Sequence, residues 1–174
     1  MAEQNDKRRA ALNLTSEEFR GAGHELIDRV ADFLEQLPQQ PVTRGESPGQ
    51  IRALLPDDEL PERGESAESL LRDVAPLLFR HSLHNGHPRF LGYITSSAAP
   101  LGMLADFLAS AVNANFGKWD LSPVASEIEA QTVRWISQLN GYPADCGGLL
   151  VSGGNMANYL GFMAARRAQV DWDI

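Results

Sequence analysis

Hydrophobic side chains recur at helical spacing in the first third of the chain. Thr15 followed by Glu18 is a capping-box pattern, and apolar residues then appear every three or four positions until Pro38. This spacing predicts a long amphipathic helix over 15–37, with the apolar residues Phe19, Leu26, Ile27, Val30, Phe33, Leu34 and Leu37. Residues 38–64 are rich in Pro, Gly and charge, which predicts a segment that runs extended over a surface with at most one short helix.

Three more helices are predicted in the middle of the chain. The first covers about 67–83, with Leu70, Leu71, Val74, Leu77 and Leu78 facing inward and Pro76 as a point of distortion. HPRFLGYITSSAAP, residues 87–100, is too short and too glycine-marked for a helix, so we expect a nearly extended segment. Pro100 is well placed to begin the second helix, which carries Leu101, Leu104, Phe107, Leu108 and Val112. Ser122 and Pro123 predict the N-cap and first turn of the third, which ends at Gly141 and buries Val124, Ile128, Trp135 and Leu139.

The end of the chain has a different pattern. GGLLV, residues 147–151, predicts a strand, followed by a glycine turn and a last helix through Arg167. A single strand has unpaired edges, which a complete domain seldom tolerates. We therefore expect the chain to be the first part of a larger fold.

Composition and charge exclude several classes of function. The net charge of -8 provides no basic stripe for a phosphate backbone, so we expect no nucleic-acid partner. No apolar run approaches the roughly 20 residues that span a bilayer, and the start lacks a signal-peptide core, which predicts a cytoplasmic protein with no membrane partner. His81, His84 and His87 lack the further ligands of a tetrahedral site, so we predict no metal centre. Glu127 and Glu129 are interpreted only as charges near a helix start.

The turn SGGN, residues 152–155, is the most informative short stretch. A strand that enters two glycines and leaves as a helix presents backbone N–H groups at a positive helix end, where an anion can come close. The chain has neither GxGxxG nor the Lys-Ser/Thr of a P-loop. From the spacing alone, phosphate binding and a merely tight turn both stay open.

Four separated motifs together resemble the N-terminal part of the group II pyridoxal-phosphate-dependent decarboxylases, the aromatic-L-amino-acid and glutamate decarboxylase type. They are EEFRGAGHELIDRVADFLEQL (17–37), HPRFLGYITSSAAPLGMLADFL (87–108), WDLSPVASEIEAQTVRWI (119–136) and GGLLVSGGNMANYLGFMAARR (147–167). The resemblance implies an α/β enzyme of the aspartate-aminotransferase type (fold type I), mostly helical here with at least one strand of the large-domain sheet. It also implies a dimer-wrapping helical segment over 14–86 and the incomplete start of the cofactor-binding large domain over 87–174. Residues 1–13 are polar, and we expect them to be a frayed N-terminus.

The same resemblance implies roles for five residues. Gly154 and Asn155 match the turn that binds the phosphate of pyridoxal 5'-phosphate, although serine is common where Asn155 stands. Tyr93 and Ser96 match a segment that lines the substrate pocket, and a threonine often replaces Ser96. Trp119 matches an aromatic residue near the pocket wall.

The resemblance also shows what this chain lacks. Its only lysines, Lys7 and Lys118, do not match the Schiff-base lysine of the family, so we expect no catalytic residue in this chain and no activity of the 174 residues alone. The complete protein is then expected to be a lyase that removes the alpha-carboxylate of an L-amino acid, as a homodimer or with a complementary C-terminal half. The alternative is a non-catalytic dimerisation or regulatory relative that lost the catalytic half.

Overall fold

The computed structural model describes residues 13–55, 60, 62–143 and 145–170, and these residues are mostly helical. The chain divides into two compact units, residues 1–99 and 100–174, and each is described by itself. Of the predicted frayed segment 1–13, only Asn13 lies within the described residues. No helix in the described part of the chain is both long enough and apolar enough to cross a membrane.

The described part of the first unit contains three α-helices: α1 (Ser16–Gln36), α2 (Pro48–Arg52) and α3 (Ala67–His81). A short 3-10 helix, Leu37–Gln39, follows α1. The capping box predicted for α1 is confirmed, because Glu18 N donates to Thr15 Oγ1 at 3.1 Å and Thr15 N donates to Glu18 Oε2 at 2.6 Å. Pro76 lies inside α3, and the helix continues through it to His81.

Helices α1 and α3 pack against each other through one face of each. The rings of Phe33 and Phe79 stack with their centroids 4.6 Å apart, and Arg29 Nη1 donates to the carbonyl of Arg72 at 3.1 Å. Ala22 in α1 and Ala75 in α3 are the buried residues of the two helices. Small side chains at these positions allow two helix backbones to approach closely. The core of this unit therefore lies between α1 and α3.

The segment after α1, residues 40–46, is held against the end of α3 and the loop that follows it. His84 N donates to the carbonyl of Val42, and His87 Nε2 lies 2.9 Å from the carbonyl of Gln40. Because Arg89 N donates to His87 Nδ1 at 3.0 Å, the ring proton of His87 sits on Nε2 and is donated to Gln40. His84 and His87 are both buried.

Two polar side chains of the same segment complete these contacts. Arg44 Nε donates to the carbonyl of Arg80 at 2.9 Å, and Glu46 Oε1 lies 2.8 Å from His81 Nδ1. Every second residue of this segment makes a hydrogen bond to α3 or to the loop after it: Gln40, Val42, Arg44 and Glu46. We call residues 40–46 the strap. Polar contacts, rather than apolar burial, fix its position.

The second unit contains α4 (Pro100–Val112), α5 (Pro123–Leu139) and α6 (Gly154–Gln169), with a 3-10 helix at Trp119–Leu121. Pro100 begins α4 and Pro123 begins α5, as predicted. Ser122, however, does not cap α5 with its side chain. Its ψ of 67° differs from the 149–161° of the capping residues Thr15, Ser47 and Ser66, so its hydroxyl is not directed at the first-turn N–H groups.

The buried stripe predicted for α5 is wrong for this chain. Val124, Ile128, Trp135 and Leu139 are exposed, and Val133 is the residue of α5 that is buried. The apolar periodicity identified the helix, but the described part of the unit offers no surface that covers this stripe. These four side chains form an uncovered apolar surface of the second unit.

The predicted strand at 147–151 is not confirmed. No strand is assigned anywhere in the described residues, and 147–151 has no regular secondary structure. A strand requires ladder hydrogen bonds to a neighbouring strand, and the residues that the structure describes supply no such neighbour. The segment instead contacts α5 through Leu150 and Gly148.

We predict that His84 makes the stability of the chain depend on pH. Burial, together with the charges of His87 and Arg44, lowers the pKa of His84 below its ordinary value of 6.5. The unfolded chain then binds a proton that the folded chain does not, so stability falls as the pH drops below about 6.5. The effect of one such group is at most about tenfold in the unfolding equilibrium constant per pH unit. Thermal midpoints between about pH 7.5 and about pH 5.5 measure it.

Replacement of the imidazole provides the control for this prediction. His84→Gln is expected to flatten the pH dependence of the midpoint, whereas His24→Gln, which changes an exposed side chain on α1, leaves it as in the wild type. An equal slope in His84→Gln and the wild type would contradict the assignment to His84.

Candidate functional site

The turn before α6 has a backbone that only glycine adopts readily. Gly153 is the N-cap of α6 with φ 136° and ψ 173°, and the helix begins at Gly154. A φ in this range is strained for any L-residue, so the glycine is required by the turn itself.

The start of α6 also lacks a side-chain cap. Thr15, Ser47 and Ser66 cap α1, α2 and α3 by accepting from backbone N–H groups, whereas no side chain does so at α6. Ala157 N donates to the carbonyl of Gly153 at 3.0 Å and makes the first bond of the helix. The N–H groups of residues 154–156 precede it and have no acceptor within the helix. Helix geometry therefore leaves donors at its positive end for an external acceptor.

Open space lies in front of this turn. A Cβ placed on Gly153 or on Gly154 would meet no heavy atom within 4 Å. Asn155 is exposed in the first turn of α6, beside the same donors. The bare helix start, the open space and the adjacent amide side chain fit the phosphate end of a small anionic ligand. The predicted cofactor residues Gly154 and Asn155 thus share one helix start.

The segment that leads into the turn is anchored to α5 at two points. Leu150 N donates to Glu129 Oε1 at 3.1 Å. A Cβ on Gly148 would come 2.5 Å from Val133 Cγ1, so glycine permits the close approach of this segment to the helix. Sequence reasoning missed Glu129, because the hydrogen bond joins residues 21 positions apart and no local pattern marks it.

Trp119 lies in the same unit, in the 3-10 helix before α5. Its Nε1 donates to Glu127 Oε1 at 2.9 Å, and the residue is 55% exposed. It borders a depression of about 380 Å³ whose other lining residues are Pro123, Val124, Glu127, Ile128, Gln131 and Arg134. The hydrogen bond holds the indole N–H, so the ring surface is what Trp119 offers to another group.

Tyr93 and Ser96 belong to the first unit and are both exposed. Tyr93 has φ 60°, which is uncommon for a bulky side chain, and its ring lies 6.1 Å from that of Phe90. A backbone of this kind persists where surrounding structure enforces it, and such residues concentrate at functional sites. The two predicted pocket residues lie three positions apart on one irregular segment of the first unit.

Two further ionisable side chains, Lys118 and His81, have partners nearby. Lys118 Nζ pairs with Asp120, and His81 pairs with Glu46. Among the described residues, no group of three or more His, Cys, Asp or Glu side chains is arranged to hold a metal ion. Lys7 lies outside the described residues.

Comparison with known families gives one match over most of the chain. The family described as the pyridoxal-dependent decarboxylase conserved domain matches residues 48–171. This range includes the Tyr93 segment, Trp119 and the glycine turn.

Relatives and solved structures agree with this match. The chain is 33% identical over 163 residues to an aromatic-L-amino-acid decarboxylase of Bacillus atrophaeus, covering 94% of this chain and 34% of the relative. It is 28% identical over 165 residues to the aromatic-L-amino-acid decarboxylase of Rattus norvegicus, covering 90% of this chain and 34% of the relative. The chain thus spans about a third of the length of these relatives.

Solved structures show the same likeness in fold. Catharanthus roseus tryptophan decarboxylase, in complex with L-tryptophan, matches with a TM-score of 0.77 at 24% identity, over 89% of this chain and 33% of that chain. Rhodiola rosea 4-hydroxyphenylacetaldehyde synthase matches with a TM-score of 0.66 at 28% identity, over 75% of this chain and 28% of that chain.

Proposed function

The chain belongs to the pyridoxal-dependent decarboxylase family, and we propose that it supplies the phosphate site of a carboxy-lyase that uses pyridoxal 5'-phosphate. The observation that carries the proposal is the uncapped start of α6, with Gly153 at φ 136° and open space at both glycines. In this proposal the backbone N–H groups of the first turn donate to the phosphate, and the Asn155 amide adds a further donor.

The cofactor supplies an electron sink that stabilises the charge left when the alpha-carboxylate of an amino acid departs. In this proposal, the residues of this chain bind the cofactor phosphate and orient the substrate. The names of the relatives lead us to propose an aromatic L-amino acid as the substrate class. In the first unit, the Ser96 hydroxyl can donate to a substrate carboxylate, and the exposed ring of Tyr93 provides apolar surface. In the second unit, the exposed ring of Trp119 provides apolar surface of its own.

The attachment of the cofactor requires a lysine from elsewhere in the protein. Lys118 is engaged with Asp120, and it precedes the Trp119 motif rather than following the glycine turn. We therefore propose that neither Lys118 nor Lys7 carries the cofactor, and that these 174 residues alone are inactive. The bare anion turn favours this part-enzyme function over a dimerisation module that has lost the chemistry, because such a module has no need of uncapped donors.

An uncovered apolar surface supports an assembly with a second chain. The face of α3 that meets α1 carries Leu71, Ala75 and Phe79, whereas Leu70, Val74 and Leu78 form a stripe on α3 that is 48, 45 and 60% exposed. On α1, Ile27 is 48% exposed, and Leu26, Val30 and Leu34 are only partly buried. Contiguous exposed apolar side chains of this kind often mark a surface that contacts another protein. We propose that the same region of a second copy covers them in a homodimer.

The phosphate site is tested by Gly154→Val. The branched side chain would fill the space that the phosphate oxygens need, whereas the helix keeps its own hydrogen bonds. We expect the affinity for pyridoxal 5'-phosphate to fall about tenfold or more for each charged hydrogen bond lost. Fluorescence titration and the thermal midpoint are measured on the same full-length variant.

Gly161→Val is the matched control for this substitution. It places the same side chain in the middle of α6, where a Cβ also meets nothing within 4 Å. This variant is expected to keep the wild-type cofactor affinity. A folded Gly154→Val protein with unchanged affinity would remove the phosphate from this turn.

The dimer is tested by Ile27→Asp. A charge buried at the centre of an apolar contact, present twice in a symmetric dimer, is expected to raise the dimer dissociation constant more than about tenfold. Sedimentation velocity over a concentration series measures this constant. Gln36→Asp adds the same charge at an exposed polar position of α1 and should leave it unchanged. A wild-type protein that stays monomeric, or an Ile27→Asp dimer of unchanged strength, would contradict the proposal.

A further inference from the structure

Glu129 is the one acidic side chain of α5 that reaches the segment before the glycine turn. Its Oε1 accepts from Leu150 N at 3.1 Å, four residues before α6 begins at Gly154. Glu127, two positions earlier on the same helix, accepts instead from Trp119 Nε1. The two carboxylates therefore have separate structural partners, and only Glu129 contacts the path into the turn.

A second contact from the same face of α5 fixes the segment sterically. Val133 lies one helical turn after Glu129 and is 8% exposed, so its position is set by packing. It meets Gly148 so closely that a Cβ there would approach Val133 Cγ1 to 2.5 Å. Val133 sets how closely residues 148–150 approach α5, and Glu129 sets their register along the helix.

Register matters because, in the described residues, these two contacts join the path into the turn to α5. No side chain caps α6, and nothing lies within 4 Å of the Cβ positions of Gly153 and Gly154. The placement of the first-turn donors therefore depends on where Leu150 is anchored. A hydrogen bond to a carboxylate is the stronger kind of backbone anchor.

We infer that Glu129 is a positioning residue for the cofactor turn: its carboxylate holds the Leu150 amide so that the first-turn N–H groups of α6 point at the phosphate. The inference rests on the proposed phosphate site. Glu129 does not touch the ligand in this account and acts only through the backbone of residues 150–154.

The test compares Glu129→Ala, Glu129→Gln and Asp106→Ala in the full-length protein. Asp106 is an exposed carboxylate on α4, so its removal matches the charge change. Amide hydrogen exchange at Leu150 reports the contact directly, and titration with pyridoxal 5'-phosphate reports the turn. Glu129→Ala is expected to speed exchange at Leu150 and to weaken cofactor binding about three- to tenfold. Glu129→Gln, whose amide oxygen still accepts, should restore most of both.

Two results would overturn the inference. One is a folded Glu129→Ala protein that binds the cofactor within about twofold of the wild type. The other is an equal loss in Asp106→Ala, which would indicate a general charge effect. Gly154→Val separates this inference from the phosphate site: if that variant loses affinity and Glu129→Ala does not, only the role of Glu129 is wrong. If neither variant loses affinity, the phosphate site itself is wrong.

Discussion

The N–H groups at the start of α6 are the constraint on which the proposed function depends. A helix end carries about half a positive charge on donors that need acceptors. A hydroxyl accepts from such donors at α1, α2 and α3, whereas no side chain does so at α5 or α6. The cap of α6 is Gly153, in a conformation that other residues reach only with strain. Keeping a helix end bare has a cost in stability, which an anion bound there offsets. Family membership identifies that anion, under our proposal, as a cofactor phosphate.

Different interactions fix the irregular segments of the two units. In the first unit, polar contacts among buried histidines, backbone carbonyls and the strap fix an irregular segment, while apolar side chains on the outer faces of α1 and α3 stay exposed. In the second unit, α5 positions the segment before the glycine turn through one carboxylate and one buried valine. Both units are ordered locally, and both leave large apolar side chains exposed.

Local sequence signals predicted local structure well. The capping box at Thr15 and Glu18, the proline starts of α4 and α5, and the glycine turn each follow from interactions within four residues, so the pattern alone reveals them. The predicted Ser122 cap was wrong: Ser122 also ends the preceding 3-10 helix, and its ψ of 67° lies outside the extended range of the caps at Thr15, Ser47 and Ser66. The burial predicted for the apolar stripe on α5 was wrong because burial requires a second surface that covers the stripe. The predicted strand at 147–151 is not confirmed, because a strand requires a neighbouring strand. Glu129 could not be found from local pattern, since its partner lies on a distant segment.

Binding of the cofactor phosphate by the first turn of α6 can be observed at the amides themselves. When a ¹⁵N-labelled full-length protein is titrated with pyridoxal 5'-phosphate, we expect the amide resonances of Gly154, Asn155 and Met156 to move first and furthest. The amides of Gln50 and Ser69, which serine side chains already cap, should stay in place. Saturable cofactor binding that leaves the three α6 amides unmoved would show that the phosphate does not bind at this turn.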